Sequence, residues 1–192
     1  MAEVRLKTPI DEKDIRKLNV GDLVKITGTI YTARDAVHKY LLENLSKPMP
    51  FDLKGGILYH CGPVVEKVDG KWRMVAAGPT TSARISLYEP DVIEKYGVKA
   101  VIGKGGMNDK VLDANKKFGA VYLHAVGGAA QVLAECIKSV PSVYFLEEFG
   151  SPEAIWEMEV ERFPAVVTMD AQGGSLHREI FKSSQAELAK RL

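Results

Sequence analysis

Cysteine is almost missing from this 192-residue chain. The two present, Cys61 and Cys136, lie far apart and outside any CxxC or Cys/His cluster. Two thiols cannot complete a zinc site or an iron-sulfur cluster unaided. Long apolar runs are missing too: no segment has the length and apolarity of a membrane span, and the opening "MAEVRLKTPI" lacks the apolar core of a signal peptide. Nor is there an excess of charge of one sign. With 26 Lys and Arg against 25 Asp and Glu the net charge is +1, so no global field draws the chain to nucleic acid or to an anionic membrane. The expectation is a cytoplasmic protein whose anion chemistry, if any, is local. Repeats, linkers and low-complexity tracts are also absent, which leaves residues 1–192 to be read as one domain, long enough to bury a sizeable core.

The hydrophobic pattern then gives the class. "DLVKITGTIYT" (22–32) alternates and is rich in β-branched residues, a strand signal, and Thr32 with Asp35 can cap the helix that "TARDAVHKYLLENL" predicts. "GGILYHCGPVV" and "KWRMVAAG" read as strands joined by the turn "VDGK". From residue 89 strands and helices alternate: helix "EPDVIEKYG", strand "VKAVIG", glycine loop "KGGM", helix "NDKVLDANKKFG", strand "AVYLHAV", then "GGAAQVLAECIKSV" as a helix. "SVYFLEEF" follows. "SPEAIWEMEV" reads as a short helix capped by Ser151, and "AVVTMD" as a strand. The tail from His177 reads as helical, with residues 183–192 exposed. A β-rich first half followed by strand–helix alternation makes this an α/β fold with a mostly parallel or mixed sheet. Cys136 falls on the buried face of its helix and reads as a core thiol; Cys61, at a strand end, reads as structural.

Three cations recur where a strand gives way to a loop or helix: Arg34, Arg84 and Lys104. Such loops are where α/β folds build their sites. In "AAGPTTSARIS" (76–86) Thr80, Thr81 and Ser82 are helix starters, which puts Arg84 in a first helical turn, where the dipole disfavours a cation unless an anion binds beside it. Each cation alone reads equally as a solvated surface group, but the three together suit a small dicarboxylate or a phosphate. "GKGGM" is no phosphate loop of the GxxxxGK[ST] kind, and a tight turn explains its glycines as well as ligand approach does. His38, four residues beyond Arg34, shares its helical face and could orient a ligand. His60 is less promising, His124 reads as core, and His177 is uninformative alone. Thr80 could move a proton only with a neighbour to activate it, and the chain offers none in sequence.

Taken together, "YTARDAVHK", "GGILYHCGPV", "AAGPTTSARI", "IGKGGM" and "HAVGGAA", in that order from about residue 5 to 180, resemble the β subunit of class I, iron-sulfur fumarate hydratase, a family that also contains the β subunit of L-tartrate dehydratase. The resemblance implies a swivelling β/β/α domain and the reversible hydration of fumarate to L-malate. It implies an α-subunit partner in an α2β2 assembly, with a four-iron four-sulfur cluster on that partner and no cofactor or metal on this chain. It also implies that Arg34, Arg84 and Lys104 bind substrate carboxylate and that Thr80 is the proposed base, working with an acid of the α subunit; Asp35, His38 and Thr81 support the site. The alternatives are tartrate dehydration within the same class and, in another class, a non-catalytic carboxylate- or phosphate-binding module.

Overall fold

The runs "ILY", "AVIG" and "VYLH" are too short for helices and too apolar for a sheet with one wet face, so they form strands covered on both sides. The computed structural model describes residues 3–191. Its elements in order are β1 (Glu3–Lys7), α1 (Glu12–Ile15), β2 (Leu23–Thr32), α2 (Asp35–Glu43), β3 (Ile57–Tyr59), β4 (Val64–Val68) and β5 (Lys71–Ala76), then a 3₁₀ turn at Ser82–Leu87. After it come α3 (Glu89–Tyr96), β6 (Ala100–Gly103), α4 (Asp109–Phe118), β7 (Val121–His124), α5 (Ala130–Glu135), β8 (Ile137–Tyr144), α6 (Leu146–Phe149), β9 (Ile155–Met169) and α7 (Leu176–Ala189).

Strands β2, β3, β6 and β7 run parallel in that order, and β9 lies antiparallel to both β7 and β2. The five therefore close on themselves as a barrel, with β1 continuing one edge of β2, β8 one edge of β9, and β4–β5 standing apart as a hairpin. What the structure shows is thus a mixed α/β fold built on a five-stranded ring. Closure needs a sharp bend, and Gly28 supplies it. It sits at φ 111° where the β2–β9 register slips, and a Cβ there would lie 2.4 Å from Thr8 Oγ1.

Alternation along the strands divides the core in two. Ile57, Tyr59, Ala100, Ile102, Val121 and Leu123 point to one side, where they meet Ile26, Ile30, Met158, Phe163 and Val167 inside the ring. Leu58, Val101 and Tyr122 point to the other side, where Val37 and Leu41 of α2, Val92 of α3 and Leu112 of α4 cover them. The helices thereby fix what emerges at the carboxyl ends of β2, β3 and β6.

Five sequence expectations fail here. The stretch "SPEAIWEMEV" is mostly the start of the 15-residue strand β9, not a helix: Trp156, Met158 and Val160 are buried and alternate with Glu157 and Glu159. "GGAAQVLAECIKSV" is helical only over Ala130–Glu135, after which β-branched Ile137 and Val140 join the edge strand β8, which accommodates Pro141 at a slip in register. Cys136 therefore falls at the end of α5, only partly buried, and is not a core thiol, whereas Cys61 is fully buried. Thr32 caps no helix. Its hydroxyl donates to Ala154 O at 3.0 Å and accepts from Trp156 N at 2.8 Å, tying β2 to β9. The N-cap of α2 is Arg34, and its free first-turn amide at Ala36 is satisfied by the Glu153 carboxylate at 3.0 Å. Asp35 completes no capping box, because its carboxylate faces Arg84. Among the described residues no helix is long and apolar enough to cross a membrane, and α7 has no buried residue.

Candidate active site at the barrel rim

The parallel strands β2, β3 and β6 end together, so the segments that follow them share one rim. Arg34 begins α2. Its Nε lies 3.2 Å from Glu153 Oε1, without the alignment of a hydrogen bond, and Nη1 donates to Pro152 O at 3.3 Å. Gly62, after β3, allows this, since a Cβ there would lie 2.6 Å from the Arg34 Nη1. Arg84 reaches back to the residue beside Arg34, with Nη2 3.3 Å from Asp35 Oδ2, both groups about half exposed. Lys104 is joined to the same segment through the backbone: its N–H donates to Thr80 O at 3.1 Å and its carbonyl accepts from Ser82 N at 3.0 Å. Thr81 bridges Lys104. Arg34, Asp35, Arg84, Lys104, Thr80 and Thr81 are therefore brought to one rim.

The electrostatic premise for this site changes, however. Arg84 lies in a six-residue 3₁₀ turn and Arg34 at a cap, so neither sits in the first turn of an α-helix, and Thr80, Thr81 and Ser82 make no side-chain cap. Each arginine already has a carboxylate nearby, Asp35 or Glu153, whereas Lys104 has none among the described residues. Burial works to raise the Asp35 carboxyl, but the Arg84 guanidinium outweighs it and holds the group below its ordinary value.

Thr80 has a specific partner. Its N–H and its hydroxyl both donate to His60 O, at 2.7 and 2.9 Å. A carbonyl cannot take the proton it accepts, so nothing in contact with this hydroxyl activates it as a base.

Beneath the rim lies a buried network that the sequence reading missed. Glu89, the first residue of α3, is fully buried, and both His38 Nε2 and His60 Nε2 lie 3.1 Å from its Oε2. His38 Nδ1–H donates to Arg34 O at 2.8 Å. On the other side Tyr122 Oη donates to Ser82 Oγ at 2.8 Å, and Ser82 Oγ lies 2.8 Å from His60 Nδ1. Every link is satisfied with His38 protonated on both nitrogens, Glu89 ionised, and His60 neutral with its proton on Nε2. The energetics agree. Burial disfavours the charged form of all three groups. For Glu89 the two histidines, His38 foremost, more than reverse this and hold the carboxyl at about 2. Glu89 likewise holds His38 above its ordinary value, while for His60 burial wins and the ring is held below it. His38, expected to orient a ligand, thus turns inward, and His60 is its equal. These three side chains bring possible metal donors within 4.8 Å of one another, but both imidazoles meet the same carboxylate oxygen at a length proper to N–H···O bonds.

These shifts give a pH signature. His38 stabilises fully below its ordinary value of 6.5 and loses that contribution as pH rises through its raised folded value. His60 behaves oppositely, stabilising fully above 6.5 and less as pH falls toward its lowered value, and His124 and His177 add to this acid-side loss. Glu89 stabilises above 4.5 and loses its share as pH falls toward about 2. Thermal melts from pH 4 to 9 are expected to peak near ~6.5. A melting temperature still climbing at pH 9 would mean that His38 carries no extra proton.

The other histidines belong elsewhere. His177 Nε2 lies 3.0 Å from Thr168 Oγ1, and its ring occupies the space a Cβ on Gly106 would need. His124 is only partly buried, against the core expectation, with its ring 6.2 Å from that of His177. The thiols do not make a cluster ligand set: Cys61 is buried, with its pKa pushed up to about 12 chiefly by desolvation, and Cys136 lies at the end of α5.

Comparison with known proteins gives the family. The family model described as Fumarase C-terminus matches residues 1–180. A Geobacillus stearothermophilus protein bearing the name fumarate hydratase class I is 53% identical over 97% of this chain, which spans 36% of that relative's length. Methanocaldococcus jannaschii and Escherichia coli K12 proteins named L(+)-tartrate dehydratase subunit beta are 45% and 40% identical, and the chain covers 93% and 86% of them. The chain belongs to the fumarase C-terminus family, as the motifs implied.

Proposed function

We propose that this chain is the carboxylate-binding half of a two-chain hydro-lyase that hydrates fumarate reversibly to L-malate. The observation that carries the reading is the convergence of Arg34, Arg84, Lys104 and Thr80 on one open rim. The C3 proton of malate is weakly acidic, so its removal requires stabilising the charge that builds up on the adjacent carboxylate. Preorganised cations at that carboxylate do this, and Arg84 and Lys104 take the role. Arg34 holds the dianion in register, which is itself a large share of the rate gain. Thr80 is the proposed base, and the acceptor for its proton comes from outside this chain.

The partner is the α subunit, in an α2β2 assembly in the cytoplasm, and the swivelling β/β/α description would take the barrel and the β4–β5 hairpin as its β parts and α2–α4 as its α part. The four-iron four-sulfur cluster expected on the partner supplies a Lewis acid for the substrate hydroxyl and carboxylate. Tartrate is the second substrate reading, favoured by the two relatives of that name that this chain covers almost fully.

The complex with the partner, reconstituted with iron and sulfide, is expected to hydrate fumarate and to act on L-tartrate at least about tenfold less well by kcat/KM. The reverse ranking assigns tartrate. No turnover of either, with micromolar dicarboxylate or phosphate binding to this chain alone in calorimetry, would make it a binding module.

A further inference from the structure

Burying a carboxylate between two imidazoles is a poor way to gain stability, because the desolvation of the charges consumes most of their attraction and an apolar filling would serve as well. What a carboxylate does here is accept two N–H bonds at a single oxygen from two separate segments while balancing the charge of an imidazolium. His38 comes from the first turn of α2 and His60 from the end of β3, and Glu89 itself begins α3. Other polar groups of the two histidines each reach a segment of the rim. His38 fixes the Arg34 carbonyl, and the His60 carbonyl holds both donors of Thr80. The His60 ring holds Ser82, two residues before Arg84. Among the described residues Glu89 Oε1 has no hydrogen-bond partner, so within them the carboxylate is anchored through the shared oxygen.

We propose that Glu89 is a positioning residue, whose shared oxygen locks the segments carrying Arg34, Thr80 and Arg84 into the one arrangement that binds and turns over substrate. The proposal rests on the reading of the rim as the substrate site. An amide cannot replace it. In Glu89→Gln the imidazolium of His38 loses its counter-charge, gives up its Nε2 proton and then presents a lone pair to the amide oxygen. That contact is lost unless the amide turns its NH2 to both rings, which requires His60 to move its proton to Nδ1 and give up the hydrogen bond it accepts from Ser82; either way one arm of the rim loses its native bonding.

In the partner complex, Glu89→Gln is expected to lower kcat about 100-fold, the cost of misplacing reacting groups by about 1 Å, while KM moves less than about tenfold. Glu89→Asp, which keeps the charge, is expected to restore at least about tenfold of the lost kcat. A variant with wild-type kcat and only a lower melting temperature would reduce Glu89 to a structural role and overturn the proposal. Should the wild-type complex fail on both fumarate and tartrate, the functional reading fails separately. Nitrogen-15 imidazole spectra of the wild-type chain alone then decide the network. At neutral pH His38 is expected to be protonated on both nitrogens and His60 on Nε2 only. A neutral His38, or a stoichiometric zinc ion in the purified chain, would overturn the arrangement.

Discussion

Arg84→Ala is expected to cut turnover of the complex by about 100- to 1,000-fold, the usual effect of removing one preorganised charge from a developing anion, while leaving the fold untouched. The second half follows from the surroundings. The guanidinium is half exposed and its polar partner in this chain is Asp35 at 3.3 Å, an ion pair of the exposed kind that adds little to stability. Removing it changes the melting temperature little, because no core contact goes with it. The first half follows from where it stands, over the segment that carries Thr80 and beside the α2 start that carries Arg34. The loss should appear in kcat more than in KM, since the charge on the carboxylate grows as the proton leaves. Steady-state kinetics with fumarate and malate, beside a thermal melt, check both halves. Unchanged turnover would remove Arg84 from the site. A collapse of the melt would mean that its pairing with Asp35 holds the α2 start in place.

Gly103→Ala is expected to cost about 3 kcal/mol of stability, at the upper end of overpacking effects, and to abolish turnover in whatever fraction still folds. Gly103 ends β6, and a Cβ on it would lie 1.9 Å from Ser82 Oγ, 3.1 Å from Tyr122 Oη and 3.2 Å from His60 Nδ1. All three neighbours belong to the buried network. Ser82 is fully buried, so its hydroxyl cannot swing aside without abandoning both His60 and Tyr122. The one methyl group thus strains β6 and uncouples the network together. Chemical denaturation measures the first effect; the His60 imidazole signal, shifting without loss of secondary structure, measures the second. A fully stable, active Gly103→Ala chain would mean that the Ser82 link is dispensable.

Several strands and helices were legible because their length and period left one option. Strands β2, β3 and β6 and helices α3 and α4 carry the alternation, β-branched content or end signals that such elements need. The segments that carry Arg34 and Lys104 were legible for a related reason, since each follows directly on a strand end. The end of β9, "AVVTMD", was legible as a strand too, but β8 and the first half of β9 were not. "SPE" looks like a helix start, and the alternation of Trp156, Met158 and Val160 was outweighed by it; partnership with β2 across some 130 residues settles the matter. The buried network was also invisible. His38, His60 and Glu89 are separated by 22 to 51 positions, and at the head of α3 Glu89 looks like any first-turn acid. Only closure of the ring and the packing of α3 against α2 turn it inward. The pairing of Arg34 with Glu153 was hidden in the same way, because it spans the misread start of β9.

Closure through β9 also bears on how the molecule is made. The eleven residue pairs that join β7 and β9 at Met169, Val167 and Val166, and β2 and β9 from Val166 back to Glu157, cannot form until the ribosome has delivered the last of them. Until then the outer margins of β2 and β7 are open ladders able to recruit any passing chain, and long-range zippering of this kind is slow. The nascent polypeptide therefore needs shielding longest at β7 and at β2, the strand that leads into Arg34.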